Sequence, residues 1–341
     1  MRSLIYGCGS LGTVLGALLT EAGEDVLLVS RNREHVRALR EHGASIEGGL
    51  SKTVSVQAEL PEKMKGPFDM VFLMTKQLDN QASAQLLKPL LALDGAICCL
   101  QNGIPELALR GILPDEQILG GVIPWSATYQ RPGVSRLTSP GDSVRFTIGS
   151  PFAKAPAALE RAGGVLEKAG KVEVDEDILS MRWSKLLVNA SISALSSSLG
   201  LPCGGVTHDP KFQPLVLRLL KECVDVGRAE GISFRSVNGY PIEKELYITT
   251  EEELLPAQKK LPSAFDSIRD SVSSVLQDLR RGRKTEVHAI SGIVCRTGRE
   301  HGIPTPFNDR VVYVIEQIEA GALPCAPGNF HEYESLLDRP I

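Results

Sequence analysis

Short apolar runs separated by glycine or polar residues open the chain and predict a strand, a turn, a helix and a second strand. Residues 4–6 are apolar, as expected for a buried parallel strand. Leucine and valine then recur at helical spacing until Gly23, a plausible helix stop. Residues 25–30 form the second apolar run. This order predicts the β-α-β unit that begins a doubly wound parallel sheet.

Similar patterns continue through the first half of the chain. The further predicted strands are residues 44–47, 53–57, 68–74, 96–100, 118–123 and 171–174, and the predicted helices are residues 33–41, 80–91 and 155–168. Residues 44–57 are expected to form a small hairpin. Residues 128–148 contain two Pro-Gly turns and are expected to be antiparallel strands that close the sheet.

Helical periodicity replaces the strand patterns from about residue 178. The predicted helices are residues 178–199, 210–230, 263–280, 286–301 and 305–320. Residues 234–261, rich in Glu, Lys and Pro, are expected to be poor in helix, although residues 251–260 favour a short one. We expect a first domain over residues 1–175, an all-α domain over residues 176–325 and a loosely held tail over residues 326–341.

A glycine-rich turn joins the first predicted strand to the first helix. The turn is Gly-x-Gly-x-x-Gly, in which Gly7 allows a tight turn, Gly9 lets a pyrophosphate approach and Gly12 lets the helix pack closely. A glycine-rich turn without a ligand is the alternative, but the second strand follows at the right distance. The sequence therefore predicts a Rossmann-type sheet whose dinucleotide site is formed by Gly7, Cys8, Gly9, Ser10, Leu11 and Gly12.

The end of the second strand indicates the cofactor. NAD sites usually place an acid there to bind the ribose 2′-hydroxyl, whereas this chain has Ser30 and Arg31. A guanidinium can bind a 2′-phosphate through two hydrogen bonds, and a hydroxyl can add another. We therefore predict NADPH as the cofactor. The alternative is that Arg31 is only a solvated charge.

Polar side chains follow two neighbouring predicted strands. Lys76 comes shortly after residues 68–74, and Asn102 comes shortly after residues 96–100. Ligands of doubly wound sheets bind at the carboxyl ends of the strands. We therefore expect Lys76 and Asn102 to line one cleft.

Composition and charge exclude several classes of protein. The chain has 37 Lys and Arg against 41 Asp and Glu, a net charge of −4, which argues against a nucleic-acid-binding protein. No apolar run is as long as a membrane span, and the first strand begins too early for a signal peptide, so a cytoplasmic protein is expected. The 7 cysteines and 6 histidines lack the spacing of metal ligands, which favours reduced thiols and no metal.

A polar row opens the helical region. Lys185, Asn189 and Ser193 are four residues apart, so they share one helix face. Such a row can line a cleft or form a solvated stripe, and periodicity alone does not decide between them. By spacing alone, Asp278 and Glu286 are ordinary surface acids.

These motifs together resemble the ketopantoate reductase family, also called 2-dehydropantoate 2-reductase. The resemblance extends to about residue 320. It depends on the glycine-rich turn, Ser30-Arg31, Lys76, Gln101-Asn102-Gly103, Trp183-Ser184-Lys185-Leu186 with Asn189, Gln277-Asp278, Gly282-Arg283 and Thr285-Glu286. It implies reduction of the 2-oxo acid ketopantoate to (R)-pantoate by NADPH, for pantothenate and coenzyme A synthesis.

The resemblance also implies the roles of individual residues. Lys185 corresponds to the general acid of the family, and Glu286 to a carboxylate that holds the substrate and the lysine. Asn189 and Ser274 correspond to substrate-binding residues. Lys76 and Asn102 correspond to residues near both the nicotinamide and the substrate, and Arg31 to the residue that contacts the 2′-phosphate.

One position departs from the family pattern. Many members have a second asparagine one helical turn after Asn189, where this chain has the shorter Ser193. The substrate is therefore either ketopantoate or a different 2-oxo acid. A regulatory protein that binds NADPH without turnover is a third alternative, which the presence of both Lys185 and Glu286 disfavours. The helical domain offers faces for a homodimer, but no pattern requires one.

Overall fold

The computed structural model describes residues 1–237 and 239–341. The chain divides into two compact units. The first contains residues 1–101 and 105–178, and the second contains residues 102–104 and 179–341.

The first unit is an α/β unit built around a mostly parallel sheet. Its strands are β1 (Arg2–Tyr6), β2 (Asp25–Val29), β3 (Ala44–Gly48), β4 (Lys52–Val54), β5 (Gln57–Glu59), β6 (Phe68–Leu73), β7 (Leu91–Cys99), β8 (Ile118–Val122), β9 (Ala127–Arg131), β10 (Val134–Leu137), β11 (Arg145–Gly149) and β12 (Lys171–Val174). Its helices are α1 (Ser10–Glu21), α2 (Arg33–His42), α3 (Asn80–Leu87) and α4 (Pro156–Leu166).

The main sheet has eight strands in the order β12-β11-β8-β7-β6-β1-β2-β5. All neighbouring strands are parallel except β8 and β11. The chain leaves β1 toward β2 on one side and returns to β6 on the other, so the strand order reverses at β1. Ligands of doubly wound sheets bind at this reversal, outside the carboxyl ends of the strands.

The main sheet is buried on both faces, which explains its continuous apolar runs. Leu4 and Val71 belong to the apolar cluster on one face, and Ile5 and Phe72 belong to the cluster on the other. All four side chains are fully buried. The predicted buried strands at the centre of the sheet are therefore confirmed.

A second sheet corrects the predicted arrangement of two segments. It has four strands in the order β4-β3-β10-β9. β3 and β4 form the expected hairpin, but residues 57–59 leave it and extend the main sheet beside β2. β9 and β10 also join the second sheet, and only β11 returns to the main one. The pairing of β3 with β10 joins segments far apart in the chain, which local patterns do not reveal.

The second unit is helical and has its own apolar core. Its helices are α5 (Ile178–Val188), α6 (Ala194–Ser198), α7 (Cys203–Thr207), α8 (Gln213–Ala229), α9 (Ile242–Leu246), α10 (Glu251–Phe265), α11 (Ser274–Arg280), α12 (Ser291–Glu300), α13 (Pro306–Glu319) and α14 (His331–Leu337). The described part of the chain contains no helix long and apolar enough to cross a membrane. The expected order, a Rossmann-type sheet followed by an all-α region, is confirmed.

Two predicted helices of this unit have different bounds. The short helix expected over residues 251–260 is present as α10 and extends to Phe265, because Ala257, Leu261 and Phe265 form a buried stripe that outweighs its two prolines. The helix predicted over residues 263–280 is interrupted after α10. It resumes only at α11, where the Ser273 side chain accepts the Leu276 N–H at 3.1 Å as a cap.

The expectation of a loosely held tail is wrong. Residues 331–337 form α14, and Tyr333 is fully buried. The Tyr333 hydroxyl donates to Ser198 Oγ at 2.7 Å, and the Asn329 amide donates to the Ser198 carbonyl at 2.9 Å. The tail is therefore packed against α6, where it satisfies buried polar groups.

Candidate active site

The glycine-rich turn closes tightly over the ends of β1 and β2. The N–H groups of Gly7 and Cys8 both donate to the Val29 carbonyl, at 3.1 and 2.7 Å. Gly7 has a φ of 109°, and a Cβ atom there would collide with the backbone of Thr75, after β6. Only glycine fits this position.

The next glycine leaves the turn open to a ligand. A Cβ atom on Gly9 would meet nothing within 4 Å, whereas one on Gly12 would lie 2.6 Å from the Gly7 carbonyl oxygen. Gly9 caps α1 without a side-chain hydrogen bond. Ser10 and Leu11 are half-buried in the first turn, and the Cys8 side chain is buried. The backbone of this turn therefore fits the pyrophosphate of a dinucleotide.

Ser30 and Arg31 lie beyond the end of β2. Ser30 Oγ accepts the Asn32 N–H at 3.3 Å, and the Asn32 side chain caps α2 by accepting the His35 N–H at 3.1 Å. Arg31 is exposed, and its charge partly offsets the burial that raises the pKa of Tyr6 at the end of β1. A cation and a hydroxyl therefore stand at the strand end where NAD sites place an acid.

A buried amide pair that sequence reasoning missed holds the strand end near Lys76. Asn80 Nδ2 donates to Gln101 Oε1 at 3.1 Å, and Gln101 Nε2 donates to Asn80 Oδ1 at 2.9 Å and to the Thr75 carbonyl at 2.7 Å. Lys76 is exposed on this loop. Asn102, directly after Gln101, is half-buried and belongs to the second unit.

Lys185 lies near the end of α5 and is half-buried. Burial, together with the positive charge of the buried Arg182, lowers the pKa of its ammonium to about 8. Burial disfavours the charged form of a lysine because it removes hydrating water. A lysine with this pKa can release a proton near neutral pH, as a general acid must.

A π-helical turn, Asn189–Ser193, interrupts the predicted helix directly after α5. Such turns are rare in proteins, and those that occur are often found at functional sites. Asn189 and Ser193 are its first and last residues, and both are half-buried. The Ser193 side chain hydrogen-bonds the buried Cys203 thiol, whose pKa burial raises. The helix predicted over residues 178–199 is therefore not a continuous α-helix.

Glu286 is buried, and the residues just before it are held by Glu319, which the sequence did not indicate. Glu319, at the end of α13, accepts the Thr285 N–H at 2.7 Å and the Thr285 hydroxyl at 2.6 Å, and pairs with Lys284 at 2.8 Å. Burial raises the pKa of Glu319, but these bonds to Lys284 and Thr285 outweigh it and lower the pKa overall. Only spatial proximity identifies this residue.

The elements that carry the proposed substrate residues pack together within the second unit. The π-helical turn contacts α8 and α12, and α12 follows shortly after Glu286. α6 contacts α11, where Ser197 and Ser273 share a hydrogen bond of 2.6 Å. Ser274, the first residue of α11, is exposed. The unit therefore places the segments of Asn189, Ser274 and Glu286 on contacting elements.

Comparisons with solved structures agree with this architecture. A PanE/ApbA family ketopantoate reductase from Ralstonia eutropha is 26% identical, covers 94% of this chain and 99% of its own, and has a TM-score of 0.78. A D-mandelate dehydrogenase with NADH and anilino(oxo)acetate is 23% identical with the same coverage and a TM-score of 0.80. The second similarity is one of fold.

Sequence comparisons cover both units. Proteins named 2-dehydropantoate 2-reductase are 27% identical in Archaeoglobus fulgidus, over 94% of this chain and 98% of theirs, and 27% identical in Pyrococcus horikoshii, over 90% and 94%. Residues 3–150 match the family Ketopantoate reductase PanE/ApbA, and residues 177–319 match its C-terminal domain. The chain therefore belongs to the ketopantoate reductase PanE/ApbA family, a family of oxidoreductases.

Proposed function

We propose that this protein reduces the 2-oxo acid ketopantoate to (R)-pantoate with NADPH, as a step toward pantothenate and coenzyme A. The observation that carries the proposal is Lys185, a lysine whose pKa is lowered to about 8, first by burial, and which lies shortly before a π-helical turn. A cationic donor of this kind suits the reduction of a ketone, in which negative charge develops on oxygen.

The residues proposed to bind the cofactor belong to the first unit, apart from Asn102 of the second unit. The backbone of Gly7, Cys8, Gly9, Ser10, Leu11 and Gly12 would hold the pyrophosphate, with Lys76 and Asn102 near the nicotinamide. The open side of Gly9 and the α1 N-terminus support this assignment. When bound, NADPH supplies the hydride that reduces the ketone carbon.

The proposed proton donor and the residues proposed to bind the substrate belong to the second unit, apart from Lys76 of the first unit. Lys185 Nζ would donate a proton to the ketone oxygen as charge develops there, and its positive charge would stabilise that oxygen. Glu286 would orient the lysine and the substrate. The proposed substrate-binding residues are Lys76, Asn102, Asn189, Ser193 and Ser274.

NADPH rather than NADH is proposed because of the residues after β2. Ser30 and Arg31 there can hydrogen-bond a 2′-phosphate, and an acid in their place would repel it. The D-mandelate dehydrogenase of similar fold has NADH bound, so the fold itself does not determine the choice. The choice therefore depends on these two residues.

A different 2-oxo acid is the second candidate substrate, and Ser193 favours it. A serine reaches less far than the asparagine common at this position, and the Ser193 side chain is already engaged by Cys203. A D-mandelate dehydrogenase of similar fold has been solved with NADH and anilino(oxo)acetate, which supports this alternative. A larger substrate would use the space that a shorter side chain leaves.

The direct test mixes purified protein with ketopantoate and either NADPH or NADH, and follows the absorbance of the reduced nicotinamide. Rapid oxidation of NADPH and slow oxidation of NADH would support the reaction and the cofactor choice together. Tight NADPH binding without turnover of ketopantoate would contradict the substrate, and a panel of 2-oxo acids would follow.

A further inference from the structure

A buried hydrogen-bond network connects the second sheet to the glycine-rich turn. The Gly133 N–H, in the turn between β9 and β10, donates to His35 Nδ1 at 2.9 Å. His35 Nε2 lies 3.2 Å from Thr13 Oγ1, and Thr13 Oγ1 donates to the Gly9 carbonyl at 2.6 Å. The Cys8 sulfur lies 3.4 Å from Thr13 Oγ1 and 3.8 Å from His35 Nε2.

The donors determine the protonation of the imidazole. Because the Gly133 N–H can only donate, His35 Nδ1 must accept and carries no proton. Because the Thr13 hydroxyl donates to Gly9, it accepts from His35, so Nε2 carries the proton. The hydrogen-bond network is consistent only with this neutral tautomer. Burial also lowers the pKa of His35, which is 1% exposed and packs against the Tyr129 ring at 5.3 Å.

The hydrogen-bond network ends at the Gly9–Ser10 peptide group, which would face the cofactor. The Gly9 carbonyl accepts both the Thr13 hydroxyl and, at 3.0 Å, the Thr13 N–H. In a planar trans peptide the C=O and N–H groups point in opposite directions. Holding the Gly9 carbonyl inward therefore turns the Ser10 N–H outward, beside the open side of Gly9.

We propose that Thr13 and His35 are positioning residues for the cofactor pyrophosphate, which they serve by fixing the direction of the Ser10 N–H from within the protein. Neither residue touches the ligand, since both are buried. The inference rests on the proposed binding of NADPH by this turn. It adds a role for α2 and for the turn at Gly133, neither of which belongs to the glycine motif.

The test compares dissociation constants of NADPH with those of 2′-AMP, which has the 2′-phosphate but no pyrophosphate. Thr13→Val, of similar shape, is expected to weaken NADPH by about five- to tenfold, the effect of one lost hydrogen bond. It is expected to leave 2′-AMP unchanged. Thr13→Ser keeps the hydroxyl and should restore NADPH binding.

Two further variants separate this role from a general loss of packing. Thr20→Val lies in the same helix, where the buried Thr20 hydroxyl makes no hydrogen bond within the described residues, and should bind NADPH like the wild type. His35→Phe should weaken NADPH as Thr13→Val does, and the double variant should be no weaker than either. Equal losses of NADPH and 2′-AMP, or additive losses, would overturn the inference.

Nitrogen chemical shifts of His35 in the wild-type protein test the inference without any ligand. A protonated Nε2 and an unprotonated Nδ1 are expected. A protonated Nδ1 would contradict the hydrogen-bond network and overturn the inference, regardless of how the variants fold. If wild-type protein binds 2′-AMP but not NADPH, both the proposed cofactor and this inference fail. If it binds NADPH and Thr13→Val binds it equally well, only the inference fails.

Discussion

Glu319 accepts two hydrogen bonds from Thr285, one from its N–H at 2.7 Å and one from its hydroxyl at 2.6 Å. The end of α13 thereby fixes the residue directly before Glu286, which is proposed to orient Lys185 and the substrate. The Glu319 carboxylate, 34 positions from Thr285 along the chain, thus supports the segment of a proposed catalytic residue without itself being part of the proposed catalytic site.

Glu319→Ala is therefore expected to lower kcat by about tenfold, because Glu286 would lose the support of its neighbour. The Kd of NADPH should stay unchanged. Steady-state kinetics and a separate titration with NADPH measure the two effects. The matched control is Glu316→Ala, one turn earlier, which removes a surface pair with His288 and leaves the bonds to Thr285 in place, so kcat should stay intact. A wild-type kcat in Glu319→Ala would show that Glu286 needs no such support.

Arg31→Ala should weaken NADPH by about tenfold to a hundredfold, the effect of losing charged hydrogen bonds to a phosphate. NADH has no 2′-phosphate, so its Kd should change little. Fluorescence titration with each cofactor measures both constants. Arg33→Ala provides the control, since Arg33 pairs with Glu62 at 3.1 Å and is less available to a ligand. Equal losses for the two cofactors would contradict the role of Arg31.

The pH dependence of turnover should report the state of Lys185. Burial, together with the charge of Arg182, lowers the pKa of Lys185 to about 8, so the ammonium predominates below that pH and the neutral amine above it. Because the proposed role needs the ammonium, kcat/KM should be flat below this value and fall by about tenfold per pH unit above it. A profile measured with NADPH saturating tests this. A rate that rises with pH through the same range would mean that Lys185 acts as a base.

Tyr333→Phe should lower the free energy of unfolding by about 1 kcal/mol, because it leaves the buried Ser198 hydroxyl without its donor at 2.7 Å. Urea denaturation followed by circular dichroism measures the difference. Tyr313→Phe, at an exposed position on α13, is the control and should unfold like the wild type. Equal stability of both variants would contradict the tight packing of the C-terminal segment.

The parts of the fold that local patterns specify could be predicted from the sequence. The first β-α-β unit follows from three consecutive segments with clear periodicity, and Gly12 is required by a contact with Gly7 in the same turn. Lys76 follows a buried strand, so its place at the carboxyl edge of the sheet follows from the strand itself. Each of these predictions needed only neighbouring residues.

Features that depend on distant contacts could not be predicted in this way. Asn80 pairs with Gln101, and Glu319 contacts Thr285, although the members of each pair are far apart in the chain. None of these residue types is distinctive by itself. The π-helical turn at Asn189–Ser193 is defined by backbone hydrogen bonds between residues five apart. The apolar pattern of residues 178–199 does not reveal this change of hydrogen bonding and predicts a continuous helix.

The most direct test of the central claim is the turnover of Lys185→Ala. The account predicts that kcat for the 2-oxo acid falls by about 10²- to 10⁴-fold, because the proton donor is lost, while the Kd of NADPH changes little. Both quantities come from the same purified variant, so unfolding would be recognised by the loss of NADPH binding. A variant that binds NADPH and turns over at the wild-type rate would contradict the assignment of Lys185 as the general acid.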